Sequence, residues 1–340
     1  MVRDKVVYIP YPVKGNRINE YTSNMVKLLK KDYSVLGNLA EPTDIFQMLQ
    51  TKAVFLNWME NGLDKKLKLQ LLLHKIFGAK IVWVFHNKQP HEVNEADITQ
   101  KNVQWLAEIS SIIMLHSKCS KKYIPHPKRN GRKAVYVPHV MYEEKNSYFD
   151  PEAVREKYGI EAEDFVFTIF GLVRPYKNIE GGIEAFTKLS EKNCKLLIVG
   201  QPMSSSYAKE IENLSKGNEN IILDLKYISD EMLEAVLAVS DVVVIPYKSG
   251  SSMNSGVMIQ AFSKGKTVIA PDIAMARDMR KTEFFYMYRS NLTEALKKAY
   301  GNGKEVNRAM GKAAMEYMQA YNNKELVYYS LCQLLNKRHA

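Results

Sequence analysis

The chain has 340 residues, 46% apolar and 25% charged, the composition of an ordinary globular protein and enough length for two domains at about 150 residues each. No run of 18 uncharged apolar residues occurs, which excludes a membrane-spanning helix. The net charge of +11 is uneven: residues 1–150 hold 23 Lys/Arg against 14 Asp/Glu, the remainder 25 against 23, so the first half points to an anionic partner such as phospholipid, a lipid phosphate or nucleic acid.

The N-terminal MVRDKVVYIPYP reads as a first strand, Val6–Pro12, and not as a signal peptide. A cytoplasmic protein is the expectation. A helix follows at 19–31, then the strand YSVLG. AVFLNW (53–58) and KIVWVFH (80–86) are further strands, with IIMLHS and AVYVPH after them. In the second half FVFTIFG, KLLIVG, IILDL, DVVVIPY and TVIAP alternate with helix-like segments. Strand–helix alternation with β-branched strands predicts an α/β fold of parallel sheets buried on both faces. A boundary is expected near Asp150, inside KNSYFDPEAVREKYGI. Residues 307–337 read as a long helical stretch for core packing, or as a helix that returns to the first domain.

Between strands lies LDKKLKLQLLLHKIFGAK (63–80). As a helix it aligns Leu69, Leu72, Leu73 and Ile76 on one face and keeps Lys65, Lys68 and Lys75 off it. Two readings stand: an amphipathic helix on its own sheet, or a helix on an anionic membrane surface. A second basic run, KCSKKYIPHPKRNGRK (118–133), is a loop in the same half.

Several chemistries are excluded. There is no GxGxxG for a dinucleotide. GKT at 265–267 has a helix before it and a strand after it, the reverse of a P-loop, and Gln260 stands where its first glycine belongs. No Asp-x-Asp and no metal-like cluster occurs, and Cys119, Cys194 and Cys332 are dispersed. Metal-independent chemistry without a cofactor is expected. The basic half carries no nucleic-acid reading module, so no nucleic-acid partner is expected.

FGLVRPYKNIEGGIEAF (170–186) puts Arg174 and Lys177 where a strand hands over to a helix. In open α/β sheets ligands lie beyond the carboxyl ends of strands. Arg supplies a planar fork for phosphate oxygens and Lys a mobile point charge. The pair reads as a pyrophosphate clamp, or as two cations that solvate a turn. The small residues Gly250, Ser251, Ser252, Ser255 and Gly256 suit backbone approach to phosphate, or a flexible linker.

These stretches in order, with LLIVGQP and the run from Tyr227 to Asp272, resemble the nucleotide-sugar half of GT-B glycosyltransferases. They are most similar to glycosyltransferase family 4 and its bacterial polysaccharide members. WVFHNKQPHE (83–92) resembles the His-containing loop of the acceptor domain. The resemblance implies two Rossmann-like domains facing each other across a cleft. An acceptor domain would span 1–150 and a nucleotide-sugar domain 151–310, with a helix at 311–340 that packs back toward the first. It implies transfer of a hexose from a UDP- or GDP-sugar to a polysaccharide or polyprenyl-diphosphate-linked glycan, peripherally at the inner membrane face. Arg174 and Lys177 match the basic pair on the donor pyrophosphate. Tyr227 and Ile228 match the loop beside the nucleobase. Tyr247, Ser251, Ser252, Ser255 and Gly256 match the loop around sugar and diphosphate.

The family has a Glu, seven residues, and a second Glu. Here those positions are Ser252 and Gln260. Gln260 can still hydrogen-bond a ribose, but Ser252 cannot stand in for a carboxylate beside a cationic sugar. Retention, which the resemblance implies, therefore rests on it alone, and inversion would need a base from the first domain. His86 matches the active-site His of the family, and an ordinary imidazole pKa suits proton transfer. Gly15, Asn16, Glu20, His91 and Glu92 are further acceptor-side candidates. A nucleotide-sugar epimerase and a non-catalytic partner of another transferase are the alternatives.

Overall fold

A computed structural model describes residues 4–12, 19–87, 96–143, 150–191, 193–248 and 252–336. The chain forms two compact units, Met1–Val140 with Tyr321–Ala340, and Met141–Ala320.

In the first unit the order is β1 (Lys5–Ile9), α1 (Glu20–Leu29), β2 (Ser34–Leu36), α2 (Ile45–Gln50), β3 (Thr51–Asn57), α3 (Lys65–Ile76), β4 (Lys80–Val84), α4 (Ala96–Ile109), β5 (Ile112–Leu115), α5 (Pro127–Asn130) and β6 (Ala134–Tyr136). The strands form one sheet in the order β2-β1-β3-β4-β5-β6, every pair parallel.

The second unit runs α6 (Pro151–Tyr158), β7 (Phe165–Phe170), α7 (Ile179–Thr187), β8 (Cys194–Val199), α8 (Ser205–Ser215), β9 (Ile221–Asp224), α9 (Asp230–Val239), β10 (Val242–Val244), α10 (Gly256–Ser263), β11 (Thr267–Pro271), α11 (Ala274–Met279), β12 (Tyr286–Tyr288) and α12 (Leu292–Tyr321). Its sheet order is β12-β11-β10-β7-β8-β9, again all parallel. β7 is thus the first strand, and the order reverses between β7 and β10. That is the Rossmann switch point, where ligands bind.

The period-two rule of strands is visible in β7. Val166 and Phe170 enter one core layer, while Phe165, Phe167 and Ile169 enter the other. Local chemistry sets the helix ends. Asn19 caps α1 by accepting from Tyr21 N at 3.0 Å, and Asp150 caps α6 by accepting from Glu152 N at 3.0 Å.

The division between units falls at Val140/Met141, not at 150, because Tyr142 is buried in the second unit's core and its N–H donates to Ser263 Oγ at 3.0 Å. At the other end Ala314 and Met318 stay in that core. The chain leaves it at Tyr321 rather than 311. The final helix, α13 (Lys324–Asn336), buries Val327, Leu331, Leu334 and Leu335 in the first unit's core. The stretch read as one helical run over 307–337 is therefore two helices. α12 is itself broken at Gly303, whose φ is 74°, and Asn307 Nδ2 donates to Ala299 O and Gly303 O at the break, 2.7 Å each.

Of the two readings of α3, packing of the leucine stripe on its own sheet does not hold: Leu69, Leu72 and Ile76 are exposed, Leu73 is half-buried, and Gln70, Leu71 and His74 are the buried residues. No helix among the described residues is long and apolar enough to cross a membrane.

Candidate functional site

In the second unit β7 delivers the chain into a tight turn, the 3₁₀ segment Pro175–Lys177, which ends at Asn178 with φ 55°. Asn178 Nδ2 donates to Pro246 O at 2.8 Å, tying this turn to the loop after β10 across the switch point. Arg174 is half-buried and Lys177 is buried at 5% exposure. The charge that bears on Lys177 is another cation, Arg174. Burial first, and Arg174 second, push its pKa down to about 8. A buried ammonium beside a guanidinium is unfavourable in the apo protein and becomes favourable when an anion arrives.

Two glycines shape the strand ends beneath it. Gly171 has φ +93°, and a Cβ there would stand 3.1 Å from Lys177 Nζ and 3.9 Å from Val257 Cγ2. Gly200 has φ +146°, and a Cβ there would lie 2.0 Å from Gly171 O. The end of β8 can approach the end of β7 this closely only because residue 200 is a glycine, and the space above Gly171 is shared by the amine and the first turn of α10.

α10 starts at Gly256, and Ser255 is its cap, accepting from Met258 N at 3.2 Å. The exposed Gly256 leaves the helix N-terminus, with its partial positive charge, open to solvent. Ser252 is buried and its hydroxyl donates to Asn254 O at 2.6 Å, so it serves the loop's own backbone. Gln260 is half-buried on α10. Tyr247 is buried, and its carbonyl accepts from Tyr288 Oη at 3.1 Å. Tyr227 is 61% exposed, and Ile228 packs on the core beneath it. Ser251 lies outside the described residues. A cavity of about 370 Å³ in this unit is lined by Asn178, Tyr247, Lys248 and Arg289 among others, and by neither Arg174 nor Lys177.

In the first unit the carboxyl ends of β3, β4, β5 and β6 bring together a ring cluster that the sequence did not assemble. His86, His116 and His139 follow β4, β5 and β6. Tyr21 of α1 lies 5.2 Å from His86 and from His116, and 5.0 Å from His139, ring centre to ring centre. Trp58 stacks on His86 at 4.3 Å and 17°. It carries a φ of 50°, a conformation that bulky residues seldom adopt.

The tautomers follow from the partners. Asn57 Nδ2 donates to Ile9 O at 3.1 Å, so its Oδ1 faces His86, and Nε2–H of His86 donates to it at 3.1 Å. Nδ1 is then the acceptor nitrogen of His86. His116 Nδ1–H donates to Val137 O, and its Nε2 accepts from Tyr21 Oη at 2.8 Å. His139 Nδ1–H donates to Val140 O. Each ring is neutral. Burial, with mutual repulsion adding to it at His86 and His116, holds His86 well below the ordinary range and pushes His116 down to about 3. Burial alone takes His139 to about 4. The ordinary imidazole pKa expected for His86 is therefore corrected: burial makes the resting ring neutral and a weaker base than an exposed imidazole.

Glu20 is the first residue of α1 and half-buried. Gly15, Asn16, His91 and Glu92 lie outside the described residues. Among the described residues no group of three or more His, Cys, Asp or Glu could hold a metal ion. Tyr21, Asn57 and Trp58 were missed from sequence. The available signal was that four successive strand ends carry Asn57–Trp58, His86, His116 and His139.

Comparison with known proteins agrees with this arrangement. Residues 150–316 match the model of glycosyl transferases group 1. A GDP-mannose:glycolipid 4-beta-D-mannosyltransferase of Xanthomonas campestris pv. campestris is 30% identical over 102 residues, a match that spans 30% of this chain and 29% of that enzyme. Among solved structures, HepE of Anabaena in complex with UDP superposes with a TM-score of 0.75 at 14% identity, covering 97% of this chain and 99% of that one. Sucrose-phosphate synthase of Thermosynechococcus elongatus superposes with a TM-score of 0.75 at 15% identity, covering 98% of each. With two six-stranded parallel Rossmann-like sheets and a family match over nearly all of its second unit, the chain has the GT-B fold and carries a glycosyl transferases group 1 domain in that unit.

Proposed function

We propose that this protein transfers a hexose from a nucleotide diphosphate sugar, GDP- or UDP-linked, to a glycolipid or polysaccharide acceptor, without a metal ion. The observation that carries the reading is Lys177: a buried amine whose charged neighbour is Arg174, at the switch point of a Rossmann sheet, calls for a polyanion. Arg174, Lys177 and the N-terminus of α10 would neutralise the diphosphate as its bond to the sugar carbon breaks and the electron pair leaves with it. Stabilising charge where it develops is a large catalytic term. Two cations and a helix end supply here what a divalent ion supplies elsewhere. The similarity to a GDP-mannose:glycolipid mannosyltransferase and to a structure holding UDP supports the donor class.

The first unit takes the acceptor. His86, with Nδ1 as its acceptor nitrogen, receives the acceptor hydroxyl, whose oxygen forms the new bond to the sugar carbon. Proton transfer to His86 implies attack opposite the diphosphate and inversion. Proton transfer to the departing diphosphate implies retention, the course carried by family resemblance. The lack of a carboxylate at Ser252 and Gln260 favours the first. A glycolipid acceptor places the protein at a membrane surface, peripherally and on the cytoplasmic side.

A thermal-shift titration with UDP, GDP, ADP, CMP and dTDP, with and without magnesium, tests the reading. A ligand that binds only the folded state raises its stability. One diphosphate should stabilise the protein equally with and without the metal. No stabilisation at millimolar ligand would set the transferase reading aside in favour of a non-catalytic partner.

A further inference from the structure

We propose that α2 and α3 form a lipid-docking face, which inserts apolar side chains into an anionic bilayer. This face deepens the glycolipid reading, on which its purpose rests, and is built from features of the first unit apart from the donor site.

α3 is built inside out. Its inward positions are Leu67, Gln70, Leu71 and His74, at the i, i+3, i+4, i+7 spacing of a packed stripe. Two of the four are polar, and both are anchored. Gln70 Nε2 donates to Ala40 O at 3.1 Å. His74 Nδ1–H donates to Gln70 O at 2.8 Å, and its Nε2 accepts from Ala40 N at 3.4 Å. Hydrogen bonds to one backbone residue therefore fix the rotation of this helix, and they turn the leucine stripe outward. Leu69, Leu72 and Ile76 stand 50%, 40% and 75% exposed.

α2 packs beside α3 and does the same. Ile45, Phe46 and Leu49 are between 50% and 71% exposed, while Met48 alone is buried. Six large apolar side chains on two adjoining helices form the kind of surface that soluble monomers seldom leave uncovered.

The charge around this surface selects the occupant. Lys65 and Lys66 flank the start of α3. Lys75 at its end donates to Ile109 O at 2.6 Å. Close to Lys75 lies Lys133, whose amine is held by Ala107 O and Glu108 O. Lys133 brings with it the basic segment that contains Lys128, Arg129 and Arg132. The neighbouring acids are Glu41, paired with Lys66, Glu108, paired with Arg129, and Asp44 and Asp64, the caps of α2 and α3, and they are outnumbered by Lys65, Lys66, Lys68, Lys75, Lys128, Arg129, Arg132 and Lys133. Exposed leucine, isoleucine and phenylalanine beside lysine and arginine match the acyl boundary and the anionic headgroups of a bilayer. A protein partner would more commonly meet aromatic and Met-rich anchors with few lysines.

The test is co-sedimentation with vesicles of phosphatidylcholine alone and of phosphatidylcholine with one quarter phosphatidylglycerol. The wild-type chain is compared with Phe46→Ser/Leu72→Ser and with Lys65→Glu/Lys75→Glu. The wild type should partition to the anionic vesicles at low salt and lose affinity as salt rises. The apolar double variant should bind at least tenfold more weakly, because these side chains are exposed and their loss spares the fold. Unchanged melting and unchanged nucleotide stabilisation in that variant would separate lipid docking from the donor site. No partition of the wild type to anionic vesicles, or equal partition of the apolar variant, overturns the proposal. A dimer that the apolar variant dissociates also overturns it and assigns the face to a second copy of this chain.

Discussion

Lys177 Nζ lies over Gly171, only 3.1 Å from where a Cβ on that glycine would stand. The site's most informative cation thus depends on a residue that has no side chain. Gly171→Ala should push the amine aside and strain a backbone at φ +93°, at a cost of about 1–3 kcal/mol in stability. Nucleotide affinity should fall with it. Titration of the purified variant with the stabilising diphosphate checks this. Full affinity in a destabilised protein would show that the amine's position does not matter to the ligand.

Arg174→Ala and Lys177→Ala should each lower turnover by about 100- to 1,000-fold, the range seen when one stabilising group is removed from a transition state. Their melting temperatures should stay near wild type or rise at Lys177, where a desolvated charge disappears. Steady-state kinetics on the identified donor reads this out. Near-normal rates in both variants would overturn the clamp.

The depressed Lys177 gives donor binding a pH dependence with a defined sign. The amine is charged below about 8 and neutral above it. Affinity for a diphosphate should be flat below about 8 and then fall by up to about tenfold per pH unit. Lys177→Arg should remove that fall, since guanidinium keeps its proton. For the free protein the sign is opposite. Between about 8 and the ordinary value of 10.5 the unfolded chain holds the proton and the native chain does not, so stability rises with pH in that window. Calorimetry at pH 7, 8 and 9 measures the first effect, urea melts the second.

Acid should unfold the protein through the histidine cluster. His86, His116 and His139 are neutral when folded and take up protons when unfolded near the ordinary value of 6.5. Stability is fully present above 6.5 and is lost as pH falls below it, by up to about 1.4 kcal/mol per pH unit for each ring. The urea midpoint should drop between pH 7 and 5.5, and His139→Asn should flatten the drop. An unchanged midpoint would count against buried, neutral rings.

His86→Ala should leave nucleotide stabilisation intact and lower transfer by about 100-fold or more. Asn57→Ala should produce a smaller loss, because it frees the His86 tautomer without removing the ring. NMR of the product's anomeric proton fixes the stereochemical course. Inversion agrees with His86 as the proton acceptor, and retention transfers that role to the departing diphosphate.

Much of this protein is determined by local sequence. Alternation of β-branched runs with amphipathic segments specifies parallel sheets, since period-two and 3.6-residue patterns bury different faces. The order of FGLVRPYKNIEGGIEAF and the Ser/Gly loop makes the proposed donor site legible, because a strand end, two cations and a helix start lie within a few residues of one another. The histidine cluster depends on tertiary structure. Tyr21, Trp58, His86, His116 and His139 are far apart in the chain and meet only because parallel strands place their carboxyl ends at one edge. Burial then lowers the basicity that sequence alone would assign to His86. The same holds for α3, where helical spacing shows that a leucine stripe exists but not which way it turns. The hydrogen bonds that Gln70 donates to Ala40 O and that Ala40 N donates to His74 Nε2 settle that, and a contact thirty or more residues away in sequence leaves no periodic trace.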